Sequence, residues 1–471
     1  MGQTENENVL TLETLQKAVA DTSAAFRCRM RLQPAGGDGD KVFPPTYAGA
    51  VYAVEQRRVK MKRGDGTEGF ETVTCVLLDS VQSQANRMEE ALQQAVDADR
   101  LKLPVIEVDF EPYYPGNNQP EEMRLLDPVG KVTSLQAPHR IADAILRDSM
   151  LDGQPFRESE LGRRVSMVSA RDATVLFELC PTALLFGMWD STGPKGGLGA
   201  KFERAMVSEV VGINAVYGVK TSSRIDPLAI QRDAGPLYRR PNGGYTVDPD
   251  LAVDEQKKGE PTGKKLLFKP NSKGQDVFHD PKESKFPDQG RPSESNHGNV
   301  RPDIDYRRDQ NKNPIKDRDG NLIPVGGVTI DHAEQSIVLS LPALRRLRFP
   351  INGKVDTRAD IAARTVLAAL GLCAAALADD AGLDLRSRCL LYAEQDRTWT
   401  LLDRKASGEF IVPADHAVKL FHDAVDVAKK AGLPWLEEPL VLRPSDELVK
   451  LVVKSQKLAV QRGGESGEGG D

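Results

Sequence analysis

The segment that most constrains the fold is FRCRMRL, residues 26–32, where apolar and basic side chains alternate without a break. In an extended chain successive side chains point to opposite faces, so Phe26, Cys28, Met30 and Leu32 share one face and Arg27, Arg29 and Arg31 the other. A helix would spread both sets around its circumference and bury arginines with the phenylalanine. The run therefore predicts a half-buried strand over 23–34, in a sheet with one packed and one open face. A turn-rich loop, GGDGDKVFPPTY (36–47), follows it, and valine and tyrosine content predicts strands over 50–59 and 72–78.

A helix is expected to start at Asp79 or Ser80, either of which can cap it. Val81, Ala85, Met88, Leu92 and Ala95 fall on its core face, and Gln82, Asn86 and Glu89 on its polar face. Next come a strand over 104–110, a helix over 136–149, a buried strand or strand pair over 173–188, and a helix over 201–214 burying Phe202, Met206, Val210 and Ile213. A strand over 327–339, a helix from about Ser340, a long helix over 356–381 and a strand pair over 389–403 complete an α+β pattern. The apolar stretch 361–378 nearly matches a membrane span in length. Its alanine-rich composition and Arg364 instead mark a buried core helix. Between 235 and 324 lysine, aspartate, proline, glycine and asparagine dominate, as in a flexible insertion or an arm that orders on a partner. The glycine- and glutamate-rich tail after Gln456 is expected to be disordered.

Hydrophobic residues make up 39% of the chain, enough for a sizeable core. The net charge of −6 argues against nucleic-acid binding by bulk charge, so basic residues must be weighed segment by segment. Five separated cysteines form no C-x-x-C pair and no cysteine–histidine cluster, which excludes a recognisable zinc site or disulfide framework and fits a reducing cytoplasm. The polar N-terminus lacks an apolar signal core. Six scattered histidines and no nucleophile–histidine–acid set give little support for an acid–base enzyme, and no metal or cofactor is expected.

Several motifs suit an anionic polymer. In 182–205, TALLFGMWDSTGPKGGLGAKFERA, an apolar strand is expected to feed a glycine-rich loop (Gly193, Gly196, Gly197, Gly199) that opens into a helix. Unpaired amides and a helix N-terminus would favour phosphate there, with Lys195, Lys201 and Arg204 adding charge. A solvated surface loop is the plain alternative. The loop is neither a P-loop nor a dinucleotide fingerprint, because the lysine–hydroxyl pair and the glycine spacing are missing. Ser80, Gln82, Ser83, Gln84 and Arg87 cluster at a helix start, where ordinary capping also accounts for Ser80. Thr221, Ser222, Ser223 and Arg224 could bind phosphate or make a turn. Arg27, Arg29 and Arg31 form a basic stripe that could equally be a solvated face. Arg345 and Arg346 lie on a basic helix surface, and Asn296 and His297 sit in the polar region.

PAGGDGDKVFPPTY, LDSVQSQANRMEEAL, TALLFGMWDSTGPKGGLGAKFERAMVSEVVG, KTSSRIDPL, RPSESNHGN, GGVTIDHAEQ and LSLPALRRLRFP, in that order, resemble the guide-RNA-binding backbone subunit of type I-G (formerly I-U) CRISPR Cascade complexes, of the RAMP superfamily. The resemblance spans 26–402, with little similarity over 238–290 or beyond Gly408. It implies an RNA-recognition-like ferredoxin palm (βαββαβ) with finger and thumb insertions. The corresponding segments are an N-terminal stretch 1–22, palm 23–79, fingers 80–171, palm 172–234, thumb or arm 235–324, palm 325–405 and a C-terminal helical region with its tail, 406–471. It also implies a cytoplasmic, non-enzymatic subunit that binds crRNA in several copies and displays the spacer to target DNA. The implied partners are a large subunit, a fused handle-binding and processing subunit and a recruited helicase-nuclease, with no membrane. Contacts to the RNA backbone are implied for Ser80, Gln82, Ser83, Lys195, Lys201, Arg204, Ser222, Ser223 and Arg224. Lys41, Gln84, Arg87, Thr221, Asn296, His297 and the arginines above are further candidates. Two alternatives remain open: target-RNA cleavage through Asp38 and Asp40, or nucleotide binding through the Gly193 loop.

Overall fold

The computed structural model describes residues 9–49, 51–62, 68–193, 199–231, 233–271, 274–283, 285–309, 313–316, 320–405 and 407–465. Contacts divide the chain into two units, Met1–Tyr217 with Gly327–Leu451, and Gly218–Gly326 with Val452–Asp471. The elements that matter here begin with α1 (Leu12–Ala20), β1 (Ala25–Pro34), β2 (Val54–Lys62), β3 (Glu68–Asp79), α2 (Val81–Asp97) and β4 (Ile106–Asp109). Then come α3 (Thr174–Leu179), α4 (Thr182–Phe186), β5 (Met188–Trp189), β6 (Lys201–Phe202), β7 (Met206–Ile213), β8 (Thr221–Arg224) and β9 (Val300–Ile304). The last are β10 (His332–Ser340), α5 (Leu341–Arg345), α6 (Thr357–Asp380), β11 (Leu390–Ala393), β12 (Thr398–Leu402), α7 (Ala414–Lys430), β13 (Leu440–Pro444) and α8 (Asp446–Glu465).

The first unit is built on an antiparallel sheet of nine strands among the described residues. Its main path runs β11–β1–β10–β7–β3–β2, and β12 also pairs with β1. The alternation in β1 sets the two faces: Phe26, Cys28 and Leu32 are fully buried, and the three arginines are exposed. Register carries this across the sheet, with Arg27 opposite Val338, Arg29 opposite Ser336 and Arg31 opposite Glu334. On the packed face lie α2 and α6. Helix α6 is apolar all round, as a core helix must be, and 89% of its most hydrophobic stretch is buried inside the fold. Gly371 lets it approach the sheet, since a Cβ there would sit 3.0 Å from Met206 Sδ. Polar groups trapped at this interface satisfy one another: Gln84 Oε1 accepts from Ser208 Oγ (2.7 Å) and Gln335 Nε2 (2.8 Å), and Arg397 donates to Gln335 Oε1 (3.1 Å) and Asp379 Oδ1 (2.7 Å).

A second sheet in this unit joins Lys131–Thr133, β4, β13, Ser149–Leu151 and Gln154–Pro155. Strand β13 lies parallel to β4, so the C-terminal region supplies the middle strand of this sheet rather than only helices. The second unit contains short antiparallel pairs, including β8 with β9 and Tyr238–Arg239 with Tyr245–Thr246, around a small core of Tyr238, Ala252 and Leu267. The polar arm thus has hairpin structure of its own.

Four sequence expectations are corrected. Residues 173–188 hold two short buried helices, α3 and α4, separated at Pro181, instead of strands, because an unbroken apolar run has no period to read. Residues 201–214 are strands, with β-branched Val207, Val210, Val211 and Ile213 in β7, instead of a helix. The helix expected over 136–149 contracts to a 3-10 turn, Arg140–Ala142, and the single turn Ala144–Arg147 capped by Asp143. The tail stays helical to Glu465.

Candidate nucleic-acid interface

Helix α2 starts where the sequence places it. Ser80 is its N-cap, with Oγ accepting from Ser83 N at 3.2 Å and lying 3.2 Å from Ser83 Oγ. The preceding Asp79 is buried and takes Gln84 Nε2 (2.7 Å), Arg87 Nε (3.0 Å) and Arg386 Nη2 (3.0 Å). Arg87 also donates to the carbonyl of Leu385. Gln84 is therefore corrected from a surface contact to a core residue, and Arg87 to a brace between α2 and the 384–386 segment. Gln82 and Asn86, one turn apart, remain exposed on the first turns, where the helix dipole favours anions.

Met188–Trp189 and Lys201–Phe202, on either side of the glycine-rich segment, pair as antiparallel strands of a hairpin, so Lys201 does not open a helix and the helix N-terminus expected there is absent. Lys195, Gly196 and Gly197 lie outside the described residues. Across the hairpin Met188 pairs with Phe202 and Trp189 with Lys201. Met188 and Phe202 are buried, while Trp189 is 56% exposed with the Lys201 ammonium 5.7 Å from its ring centroid. Asp190 holds the base of the hairpin through two 2.8 Å bonds from Arg157.

The hairpin is pinned to α2 by a buried ion pair. Arg140 donates through Nε (2.7 Å) and Nη2 (2.6 Å) to Glu89 and through Nη1 (3.0 Å) to the carbonyl of Gly187. Burial pushes the Glu89 carboxyl up to about 6, against the opposing charge of Arg140. Glu89 was expected on the polar face of α2. The register is right, but that position faces Arg140 instead of solvent. Gly187 itself has φ +89°, and a Cβ there would lie 3.1 Å from the Phe202 carbonyl oxygen.

Between α2 and the hairpin opens a cleft of about 840 Å³. Val81, Ala85, Phe186, Met188 and Phe202 give it an apolar lining; Gln82, Asn86, His139, Lys201 and Arg204 line it with polar groups. Glu203 is paired with Arg346 at 2.6 Å. Lys201 and Arg204 have no carboxylate partner among the described residues, which leaves this rim positive. The structure thus brings Gln82, Lys201 and Arg204 together, and adds Asn86, His139 and Trp189, which motif reading had not selected. An aromatic beside a glycine-rich basic loop was the available signal for Trp189. Nothing in the sequence links Glu89 to Arg140.

None of the other described candidates is among the residues that line this cleft. Arg29 pairs with Glu334 at 2.5 Å and Arg31 with Glu394 at 3.8 Å, so acids from neighbouring segments offset most of the stripe. Arg27 has no such partner among the described residues. Arg345 is turned inward to the carbonyl of Ser23 at 2.7 Å, near the end of α1. Lys41 lies 6.0 Å from the Phe43 ring, and Asp38 and Asp40 are exposed in the preceding turn. In the second unit Thr221, Ser222 and Ser223 are exposed on β8. Arg224 is spent on Asn296 Oδ1 (3.0 Å) and the carbonyls of His297 (3.0 Å) and Gly298 (3.1 Å). His297 Nε2 lies 3.1 Å from the Tyr245 hydroxyl. The TSSR and SNHG motifs therefore form one turn-holding cluster.

Among the described residues no group of three or more His, Cys, Asp or Glu side chains could hold a metal ion. All five cysteines are buried free thiols, with Cys373 pushed up to about 12 and Cys389 to about 11 by burial.

Residues 26–217, about two fifths of the chain, match a known family. That family is described as CRISPR-associated protein GSU0053 (Cas_GSU0053). The similarity points to a CRISPR-associated protein, and the matched segment contains β1 from Phe26 onward, α2, the hairpin and the whole cleft lining. No curated protein matches the chain.

Proposed function

We propose that this chain is a guide-RNA-binding backbone subunit of a type I CRISPR surveillance complex, of the I-G kind, working in several copies along one crRNA in the cytoplasm. The observation that carries the reading is the positive rim of the cleft, where Lys201 and Arg204 stand without acidic partners beside the first turns of α2. Sequence-independent binding needs phosphate contacts of this kind. Specificity then comes from the guide's own pairing with target DNA. With the β2–β3 hairpin and β11 counted as additions to the sheet, the order β1–α2–β7–β10–α6–β12 and the spatial order β12–β1–β10–β7 support reading it as the RNA-recognition-like palm. In this reading the segment Gly218–Gly326, which lies between β7 and β10 in the chain, corresponds to the thumb. The implied neighbours are the large subunit, the handle-binding and processing subunit and the helicase-nuclease, with cutting left to the last. In this reading Asp38 and Asp40 are turn residues.

The test is a titration of the full chain with single-stranded RNAs of unrelated sequence. Lys201→Ala with Arg204→Ala should weaken all of them similarly and lower the slope of log affinity against log salt by about 1.4, from roughly 0.7 per phosphate contact on a single strand. A loss confined to some sequences, or an unchanged slope, contradicts the phosphate contact.

A further inference from the structure

A second groove in the first unit, of about 560 Å³, is formed by helices: α1, the start of α6 and the end of α7. Its floor is Ala20, Ile361, Ala362, Val427 and Ala431. Three of these five are alanines, one from each helix, and such short side chains let a further helix axis come close. Along α1 the lining runs from Glu13 through Lys17 to Ala20, spacings of four and three residues that define one face. The opposite face, with Leu15, Ala18 and Val19, is already buried in the core. The rim carries Lys17, Arg358 and Lys430 against one acid, Glu13. None of the three cations has a carboxylate partner among the described residues. Lys17 and Lys430 occupy the last turns of their helices, where the dipole suits a cation. Arg358 is in the first turn of α6, where the dipole opposes it, so helix electrostatics does not account for it. These cations gather on a chain whose net charge is −6.

A nucleic-acid strand would meet the cations but leave the aliphatic floor unused, since no aromatic side chain lines the groove for a base to stack on. An apolar floor flanked by like charges is instead complementary to a helix with one apolar face and acidic borders. We infer that this groove docks an acidic amphipathic helix of a partner protein, with its apolar stripe on the floor and its carboxylates on Lys17, Arg358 and Lys430. The α1 face from Glu13 to Ala20 is about 10 Å long at 1.5 Å per residue, two turns of a helix laid beside it. That length accepts anchors at i, i+3 or i+4 and i+7, the spacing by which helices sit in grooves. The floor supplies affinity, and the rim selects charge and orientation. The inference is independent of how the chain holds RNA.

The experiment titrates the nuclease-treated full chain with a fluorescein-labelled peptide of about 18 residues, long enough to be helical, with leucine on one face and glutamate on its borders. A second peptide carries lysine in place of every glutamate. The acidic peptide should bind roughly tenfold more tightly than the lysine form and weaken as salt rises. Lys17→Glu with Lys430→Glu, both exposed, should reduce its affinity roughly tenfold through two lost pairs and two new repulsions. Ala20→Trp, also at an exposed position, should do the same by filling the groove. Lys201→Ala with Arg204→Ala should hold peptide affinity within about twofold, which separates this groove from the cleft beside α2. Absence of binding at low salt, equal binding of the two peptides, or wild-type affinity in both groove variants overturns the proposal. So does a wild type that self-associates in sedimentation while the groove variants stay monomeric, because the groove then belongs to a second copy of the chain.

Discussion

Replacing Arg140 with methionine removes the guanidinium from a site where both it and Glu89 are almost inaccessible, with side chains 7% and 2% exposed. Three hydrogen bonds go with it: two to the Glu89 carboxylate and one to the Gly187 carbonyl. Methionine fills much of the volume, so the cavity term is small and the loss is mainly that of a buried carboxylate deprived of its counterion. Breaking such a pair from one side costs about 3–5 kcal/mol. Protonation of Glu89 provides an escape. Its carboxyl already sits at about 6 with the arginine present, and without it the neutral form prevails further up the pH scale. Chemical denaturation of the full chain should therefore show a loss of about 3–5 kcal/mol at pH 8 and a smaller one at pH 5, below the raised carboxyl, where protonation relieves the unpaired charge. The double variant Glu89→Gln with Arg140→Met should recover part of the loss at pH 8, since no charge is then left buried. A single variant within about 1 kcal/mol of wild type at pH 8, or a double variant no more stable than the single, would refute the claim that this pair pins the hairpin to α2.

Glu89→Gln alone tests the linkage sign. The folded carboxyl, at about 6, lies above its ordinary 4.5, so the folded protein holds the proton more tightly. Its contribution is present below about 4.5 and is lost as pH rises through about 6, by up to about 2 kcal/mol at roughly 1.4 kcal/mol per unit. The wild-type stability difference from Glu89→Gln should change over that window and flatten outside it; a flat difference between pH 4 and 7 contradicts the assignment. Gly187→Ala places a Cβ at φ +89° and 3.1 Å from a carbonyl oxygen, and should cost about 1–3 kcal/mol in denaturant melts while reducing RNA affinity. Ser80→Ala separates capping from RNA contact: about 1 kcal/mol of stability lost with RNA affinity held within about twofold supports the cap, and the reverse pattern contradicts it.

What the sequence disclosed follows from how unambiguous each local pattern is. Strand β1 was legible because its alternation admits a single fold of the chain, and α2 because Ser80 and the spacing of Ala85, Met88 and Leu92 agree. Helix α6 was legible from length and composition within a residue at either end. Residues 173–186 were not, since a run buried on all sides carries no period. In β7 the apolar residues Met206, Val210 and Ile213 also fit a helical spacing, and only their β-branched neighbours argued otherwise. That misreading turned the glycine-rich segment into a helix start and misplaced its anion seat. The seat proposed instead lies beside it, at Lys201 and Arg204, which line one cleft with Gln82 from over a hundred residues away. Gln84 and Arg87 were misjudged for a related reason. Their partners Asp79, Ser208, Gln335 and Arg386 come together only through the tertiary fold.

The central claim is that the chain carries a guide RNA. It is tested most directly by purifying the tagged full-length chain from cells that carry a CRISPR array and sequencing the nucleic acid that accompanies it. Small RNAs of uniform length, varied in their spacers and sharing one repeat-derived handle, are the predicted result. A chain free of RNA, or one carrying fragments of mixed length with no common handle, contradicts the account.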